Sequence, residues 1–161
     1  MKEQILIRKA RVEEAKQIRE VKRDGFVEEM RMYGKDPDVF ISPEGIAFEK
    51  DSIMNADGNQ YNFVAEYDEK IIGGCRVIDE GEGQYYIKNI YIGMEWQNKG
   101  IGSMLIKFLY GEFADAKRWH LETPYRSYRN HHFYEKLGFK KVGETEPEED
   151  GFYLFQYEYR R

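Results

Sequence analysis

The segment that decides the fold is QNKGIG, residues 97–102, which follows the apolar run YIKNIYI at residues 86–92 and leads into a helix-like run. A junction of strand, loop and helix presents free backbone N–H groups at the helix N-terminus, where the helix dipole favours an anion. The two glycines allow close approach to the backbone, and Lys99 adds a positive charge. The segment predicts a phosphate or pyrophosphate site; a tight loop that needs glycine only for turning is the alternative.

Two common nucleotide-binding motifs do not fit this segment. The Walker A motif requires GxxxxGK[ST], which is absent here. The dinucleotide motif GxGxxG requires a third glycine where residue 105 is Leu, and the preceding strand belongs to a meander rather than to a βαβ unit. Nucleotide hydrolysis and Rossmann-type binding are therefore disfavoured.

Outward from the segment, the hydrophobic pattern predicts strands alternating with helices along the whole chain. Short turns join the second, third and fourth strands, which indicates an antiparallel meander. We predict one domain over residues 1–161 in the α+β class, with a mixed, mostly antiparallel central sheet of about seven strands flanked by about four helices. The predicted strands are 3–9, 61–67, 71–79, 85–92, 118–123, 139–144 and 152–159, and the predicted helices are 12–33, 43–54, 101–117 and 127–137.

Three glycines predict local irregularities in the backbone, and the position of the last strand within the sheet is left open. Gly25 is predicted to bend the first helix, and Gly73 and Gly74 predict a bulge or a close backbone approach within a strand. The last strand, FYLFQYEY at residues 152–159, is either an edge that pairs with another subunit or an interior strand.

Composition narrows the class of protein. The chain has 161 residues and a net charge of -5, which disfavours a general nucleic-acid binder because phosphate neutralisation needs a basic face. Cys75 is the single cysteine, so an internal disulfide is excluded and a reducing compartment fits. The sequence shows neither a signal peptide nor a run of about 20 apolar residues. We expect a cytoplasmic protein that binds neither membranes nor nucleic acids.

Two motifs resemble those of the GNAT acyltransferase superfamily. Residues 97–102 resemble its [QR]-x-x-G-x-[GA] signature, and FYEKLGF at residues 133–139 resembles its second hallmark, FYxKxGF. The motifs occur in the family's order, and the predicted elements resemble the GNAT fold over nearly the whole chain. The resemblance implies an N-acetyltransferase that uses acetyl-CoA, or a longer acyl-CoA, as its acyl donor.

The resemblance also implies which residues bind coenzyme A. In the family, backbone amides of the glycine loop hold the pyrophosphate, and the preceding strand pairs with the pantetheine arm. Many members have an Asn seven residues before the hallmark tyrosine, where this chain has Ser127, and Asn130 is an alternative contact. The other implicated residues are Ile90, Tyr91, Ile92, Gln97, Asn98, Lys99, Gly100, Ile101, Gly102 and Ser103.

Tyr134 and Glu122 are the predicted catalytic residues. The resemblance implies that Tyr134 is the acid that protonates the departing thiolate, and a phenol with a pKa of about 10 holds its proton at neutral pH. In some members an acidic residue at the place of Glu122 removes the proton of the amine through water. Glu66 or an ordered water alone is the alternative base, and His120 shares the strand face of Glu122.

Metal binding and the acceptor are the remaining questions. His131 and His132 are adjacent on a predicted helix and lack a third ligand at metal-like spacing, so no metal is expected. The acidic excess favours a cationic amine acceptor, such as a polyamine, an aminoglycoside or a peptide N-terminus. A homodimer is left open, and a non-catalytic acyl-CoA binding or sensing module is the alternative function.

Overall fold

The computed structural model describes residues 4–55 and 58–161, which form a seven-stranded sheet with helices on both faces. The predicted α+β class and the mostly antiparallel sheet are confirmed, and the start of the first predicted strand, residue 3, lies outside the described residues. The strands are β1 (Leu6–Lys9), β2 (Gln60–Tyr67), β3 (Lys70–Gly81), β4 (Gln84–Ile92), β5 (Arg118–Pro124), β6 (Lys140–Glu144) and β7 (Leu154–Arg160), and the helices are α1 (Ala15–Met32), α2 (Pro43–Met54), α3 (Ile101–Glu112) and α4 (Tyr128–Lys136).

The sheet order is β1-β2-β3-β4-β5-β7-β6, and every neighbouring pair except β4 and β5 is antiparallel. β7 lies between β5 and β6, which places the aromatic last strand inside the sheet and settles the question left open by the sequence. The parallel pairing of β4 with β5 covers only Gln84 to Tyr86 opposite Arg118 to His120. Beyond these pairs the two strands separate, and the second half of β4 faces a cleft.

A bulge in β4 sets which side chains face this cleft. Arg76 on β3 pairs with Asn89, whereas the next β3 residue, Val77, pairs with Ile87, so Lys88 is an extra residue in β4. A bulge reverses the alternation of side chains beyond it. Ile87 therefore faces α3 before the bulge, and Ile90 faces the same side after it.

Two hydrophobic clusters hold the layers together. The larger one lies under α3 and α4, where Leu105 and Leu109 of α3 pack with Trp119 of β5 at spacings that bury one face of the helix. The smaller one lies under α1, where Ile18 packs with Tyr91. Each face of the sheet is thus covered by a different pair of helices. Helices α1 and α2 lie on one face, and α3 and α4 lie on the other.

Most element bounds match the sequence prediction to within a few residues, with two differences. The first helix begins as a 3-10 turn at residues 12–14 and becomes α-helical at Ala15. Helix α3 ends at Glu112 instead of residue 117, because Phe113 leaves the helical conformation and is buried in the larger cluster. In the described residues 4–55 and 58–161, every helix is too short or too polar to cross a membrane.

The glycines in α1 and β3 mark close backbone approaches. A Cβ on Gly25 would lie 2.4 Å from the carbonyl oxygen of Ile92, and a Cβ on Gly74 would lie 2.4 Å from that of Phe63. At Gly73 the register between β2 and β3 shifts, so both predictions for the β3 glycines hold. Gly25 lies within the continuous helix α1, where it allows the helix to contact the end of β4.

We expect Gly25→Ala to destabilise the protein by about 1–3 kcal/mol, because the new methyl group overlaps the Ile92 carbonyl and has to push α1 away from β4. The midpoint of thermal unfolding, compared with that of the wild-type protein, measures this loss of stability. Gly111→Ala is the matched control: it lies in α3, and a Cβ there would meet no atom within 4 Å. The control is expected to gain about 0.5–1 kcal/mol from helix propensity, and equal midpoints for the two variants would contradict the close approach.

Candidate functional site

The cleft between the separated strands opens into a cavity of about 620 Å³. Its walls come from α1, the second half of β4, the glycine loop at residues 97–103 and the first turns of α4. Eleven of the predicted site residues line it: Ile90, Ile92, Gln97, Asn98, Gly100, Ile101, Gly102, Ser103, Ser127, Asn130 and Tyr134. Residues far apart in the sequence therefore meet in one place, as the two motifs predict.

The glycine loop leaves the first turn of α3 open to the cavity. Gly100 is the N-cap at φ +83°, a left-handed conformation that suits glycine, and no side chain caps the helix. The first N–H groups of α3 have no acceptor within the helix and carry the positive end of its dipole. Gly102 has a packing role, since a Cβ there would lie 2.9 Å from the ring of Phe133. The loop thus offers uncapped donors to an anion, and one of its glycines is needed for packing.

The loop is held by its own polar side chains. Gln97 donates from Nε2 to the carbonyl oxygens of Gly25 at 3.1 Å and of Ile92 at 2.9 Å, which ties the loop to α1 and β4. Arg129 of α4 donates from Nη2 to Asn98 Oδ1 at 3.2 Å. The Nε2 group of Gln97 is therefore committed to holding the loop against α1 and β4.

The charge beside the loop differs from the sequence prediction. The Lys99 side chain lies over the Trp96 ring, at 5.3 Å from its centroid, and does not line the cavity. Two arginines of the segment before and within α4, Arg126 and Arg129, do line it. Sequence reasoning missed them because their approach to the loop depends on how α4 packs, although their position just before the second motif was a usable signal.

Residues 90–92 divide between the two sides of the sheet. Ile90 and Ile92 line the cavity, whereas Tyr91 is buried in the smaller cluster on the α1 side. Tyr91 was predicted to bind cofactor, and the structure leaves only its backbone available for that role. Its ring lies 5.1 Å from the Lys22 ammonium.

Ser127 and Asn130 both face the cavity but are engaged with protein partners. The hydroxyls of Ser127 and Tyr33 lie 3.1 Å apart, and Ser127, the N-cap residue of α4, makes no capping hydrogen bond with its side chain. Asn130 donates from Nδ2 to Glu29 Oε2 at 3.1 Å and to Thr123 Oγ1 at 3.2 Å. These bonds connect α1, β5 and α4 around the cleft.

Tyr134 lies in the cavity wall against the aromatic core. Its ring packs edge-on against Phe133 and Phe139. Burial, with a smaller contribution from the neighbouring Glu29 carboxylate, raises the pKa of Tyr134 above its usual value of 10. The phenol therefore holds its proton throughout the physiological range and is available as a donor.

Glu122 faces the opposite side of β5 from Thr123 and does not line the cavity. Its Oε1 accepts from the Tyr86 hydroxyl at 2.8 Å and its Oε2 accepts from Gln156 Nε2 at 3.3 Å. Burial and the Glu122 carboxylate raise the pKa of Tyr86, which keeps this hydrogen bond in place. A proton from the cleft would reach Glu122 only through water or through Tyr86.

The other predicted proton-transfer residues lie elsewhere. Glu66 pairs with Arg8 at 2.7 Å on the β1–β2 side of the sheet and does not line the cavity. His120 shares the face of Glu122 as predicted, but its Nε2 lies 2.6 Å from Glu80 Oε1. His131 is buried with its Nε2 at 2.8 Å from the Pro124 carbonyl, and the residues that the structure describes hold no cluster of three potential metal ligands.

Glu29 of α1 is a site residue that the sequence analysis did not single out. It lines the cavity beside Tyr134 and also lines a second cavity of about 260 Å³ on the α1–α2 side. Burial raises the pKa of Glu29 above its usual 4.5, although hydrogen bonding to Asn130 opposes the shift. One glutamate among many on a polar helix gives no sequence signal, because its position depends on where α1 crosses the sheet.

Comparison with known proteins identifies this architecture. The family model described as the acetyltransferase (GNAT) domain matches residues 58–141. No curated protein is significantly similar to the chain in sequence.

Solved structures share the fold at low sequence identity. PaiA N-acetyltransferase from Thermoplasma acidophilum, in complex with coenzyme A, has a TM-score of 0.78 at 20% identity, with 96% of this chain and 99% of that chain covered. Spermidine N-acetyltransferase from Vibrio cholerae, in complex with CoA and spermine, has a TM-score of 0.77 at 18% identity, with 98% and 96% covered. The ribosomal-protein-S18-alanine N-acetyltransferase from Escherichia coli has a TM-score of 0.72 at 15% identity, with 97% and 93% covered.

We expect Glu29→Gln to raise the thermal unfolding midpoint at neutral pH. A carboxylate whose pKa is raised by folding costs stability once the pH exceeds its unfolded value of about 4.5, and the cost grows until the folded pKa is passed. The gain should therefore disappear below about pH 4, where the carboxyl group is protonated in both states. Glu28→Gln, at the exposed neighbouring position, is the control and should change little; a similar gain in both variants would contradict the burial of the Glu29 charge.

Proposed function

The chain belongs to the GNAT acetyltransferase family and is an acyltransferase, and from this premise we propose that it transfers an acetyl group from acetyl-CoA to a primary amine by direct attack. The observation that carries the proposal is the cleft between β4 and β5, in which the uncapped N-terminus of α3 and the Tyr134 phenol line one cavity. Similar folds, such as the PaiA enzyme, have been crystallised with coenzyme A.

The residues of the larger cavity suit coenzyme A. The N–H groups at the start of α3 are donors for a pyrophosphate, and Arg126 and Arg129 supply charge beside them. The half of β4 without a partner on the β5 side offers backbone groups to an extended, amide-containing chain such as pantetheine. When bound, acetyl-CoA supplies the activated thioester that the amine attacks.

Tyr134 is proposed to hold the proton that the departing sulfur receives. Its raised pKa means that it stays protonated across the working pH range, and the same burial raises the proton affinity of a thiolate beside it. Because the pKa of the phenol and the proton affinity of the thiolate rise together, proton transfer from Tyr134 to the sulfur stays feasible although the phenol is a weak acid. The alkaline side of the activity profile should therefore not report ionisation of Tyr134.

Glu122 is proposed to accept the proton of the amine through water, as the sequence predicted. The network of Tyr86 and Gln156 fixes its carboxylate on the side of the sheet that α1 covers. Glu29 is the competing base, because it lines both cavities and its raised pKa lies closer to that of a useful base at neutral pH. Separate variants of the two carboxylates distinguish these routes.

The acceptor is proposed to present an ammonium group. Glu28 and Glu29 line the larger cavity and attract a cation, and the net charge of -5 favours its approach. A neighbour of similar fold was crystallised with spermine, which agrees with an amine acceptor.

The free, buried thiol of Cys75 suits a reducing compartment such as the cytoplasm. A single domain over residues 1–161 and a homodimer stay predictions.

We expect Tyr134→Phe to lower kcat about 100- to 10,000-fold and to leave acetyl-CoA binding nearly unchanged, because the hydroxyl acts on the leaving group rather than on the bound cofactor. Thiol release with an amine panel measures turnover, and calorimetry with acetyl-CoA, ATP and NAD measures binding. Tyr159→Phe, which alters a ring stacked on Tyr110 away from the cavity, is the control.

Each result of this experiment bears on the function. Tight binding of acetyl-CoA alone, with amine-dependent thiol release, supports the acetyltransferase. Binding without thiol release from any amine would favour the non-catalytic acyl-CoA module, and preference for ATP or NAD would remove the acyl-CoA assignment. Full activity of Tyr134→Phe would remove the tyrosine from the acid role.

We expect Glu122→Gln to lower kcat/KM at neutral pH at least tenfold, since a neutral amide cannot take the proton of the amine. The side chain keeps its size, so an oxygen can still accept from Tyr86. Glu29→Gln is measured beside it. A tenfold or larger loss of kcat/KM in Glu29→Gln with an unchanged value in Glu122→Gln would reassign the base to Glu29.

A further inference from the structure

The smaller cavity, of about 260 Å³, lies on the α1–α2 side of the sheet and adjoins the proposed acetyl-transfer site. The two cavities share Phe26 and Glu29 as lining residues, so a molecule in the smaller cavity reaches the Glu29 carboxylate, which also lines the larger cavity beside Tyr134. Its other walls combine apolar rings with cations. It therefore adjoins the proposed reaction site on the side of Glu29.

The end of this cavity away from Phe26 and Glu29, called the far end below, has more positive than negative charge. Arg19 and Lys22 line it, and Arg76 lies against the same Phe48 ring that Arg19 covers, at 5.0 Å and 5.6 Å from its centroid. Glu49, only 1% exposed, pairs with Arg19 at 2.9 Å and with Lys22 at 2.7 Å. Among residues 4–55 and 58–161, no other carboxylate lies within salt-bridge distance of these three cations.

Three buried cations beside one carboxylate leave an excess of two positive charges. Arg76, which is 8% exposed, is held only by the neutral Gln60 oxygen among the residues that the structure describes. Buried charge without a counter-ion is costly, and desolvation, with smaller contributions from Arg19 and Arg76, lowers the pKa of Lys22 although Glu49 opposes the shift. An anionic ligand group would offset this cost.

The near end of the cavity has the opposite character, because the Glu29 carboxylate lies there and suits the N–H groups of an ammonium or amine. Asn89 Oδ1, which lies opposite Arg76 in the β3–β4 register, also lines the cavity and is buried with no hydrogen-bond partner among the described residues. The stacked rings of Phe26 and Phe40, 5.6 Å apart, flank the space between the two ends.

We propose that the smaller cavity binds an acceptor that carries both the reacting amine and an anionic group, with an apolar chain of several bonds between them. The inference rests on the proposed acetyl transfer. Lys22 and Glu29 are seven residues apart in α1, a helix rise of about 10 Å, so the two charges of the ligand are separated rather than borne on adjacent atoms. An ω-amino carboxylate has this arrangement, whereas a polyamine would bring a second ammonium to Arg19 and Lys22.

Three probes of matched length test the proposal: 6-aminohexanoate, its neutral amide 6-aminohexanamide, and 1,6-diaminohexane. We expect kcat/KM for the carboxylate to exceed that for either of the others at least tenfold, because one charge-assisted contact is worth about that factor. Equal rates for the three probes, or a preference for the diamine, would overturn the proposal.

Two variants locate the effect. Lys22→Met should reduce the advantage of the carboxylate to less than about threefold, because the anionic end loses a partner. The rate with the diamine should be kept or should rise, because its second ammonium loses a repelling charge. Lys16→Met, on the exposed side of the same helix, should retain the full advantage. Where Lys22→Met does not fold, Arg76→Met serves instead, since it leaves both ion pairs of Glu49 intact. An unchanged preference in the folded variant would overturn the assignment.

A binding measurement separates this inference from the proposed function. Hexanoate, which has the anion and no amine, should raise the unfolding midpoint of the wild-type protein in a saturable way, whereas hexanamide should not. If hexanoate stabilises the protein but no amine is acetylated, the acetyl-transfer proposal fails and the anion site stands. If amines are acetylated without any preference for the carboxylate and hexanoate does not stabilise the protein, the anion site fails and the acetyltransferase stands.

Discussion

The separation of β4 from β5 after three residue pairs is the constraint on which the rest of the structure depends. A continuous sheet would satisfy the backbone groups of β4 and close the space between α3 and α4. Because the strands part, that backbone faces a cavity, and the helix that follows β4 presents its N-terminus to the same space. An open strand and an open helix end leave backbone groups available to water or to a ligand, and the fold thereby concentrates available donors at one site.

The bulge at Lys88 determines which side chains of β4 face each cavity. It turns Ile90 and Ile92 toward the larger cavity and leaves Asn89 in the wall of the smaller one. Without the extra residue, the alternation along β4 would exchange these faces and bring an asparagine against the hydrophobic core. One irregular residue therefore determines which side chains of β4 face the larger cavity and which face the smaller one.

The sequence predicts the elements better than it predicts the site. Apolar periodicity predicts α3, and short turns predict the meander, because both signals lie within a few neighbouring residues. The two motifs bring the glycine loop and Tyr134 together correctly. In contrast, the placements of Glu29 and Arg129 follow from how α1 and α4 cross the sheet, and that information is spread over sequence-distant contacts such as the bond between Asn130 and Glu29.

The net charge of the chain is negative, whereas the charge buried beside the smaller cavity is positive, and the two act over different distances. The net charge of -5 acts at long range and favours the approach of an ammonium, but beyond about 8–10 Å it is screened in physiological salt. Inside the smaller cavity, where screening is weak, the excess of buried cations beside Glu49 acts on whatever has entered. Under the proposal made above, surface charge favours the approach of an ammonium and buried charge retains an anionic end, so an acceptor with charges of both signs satisfies the two requirements at once.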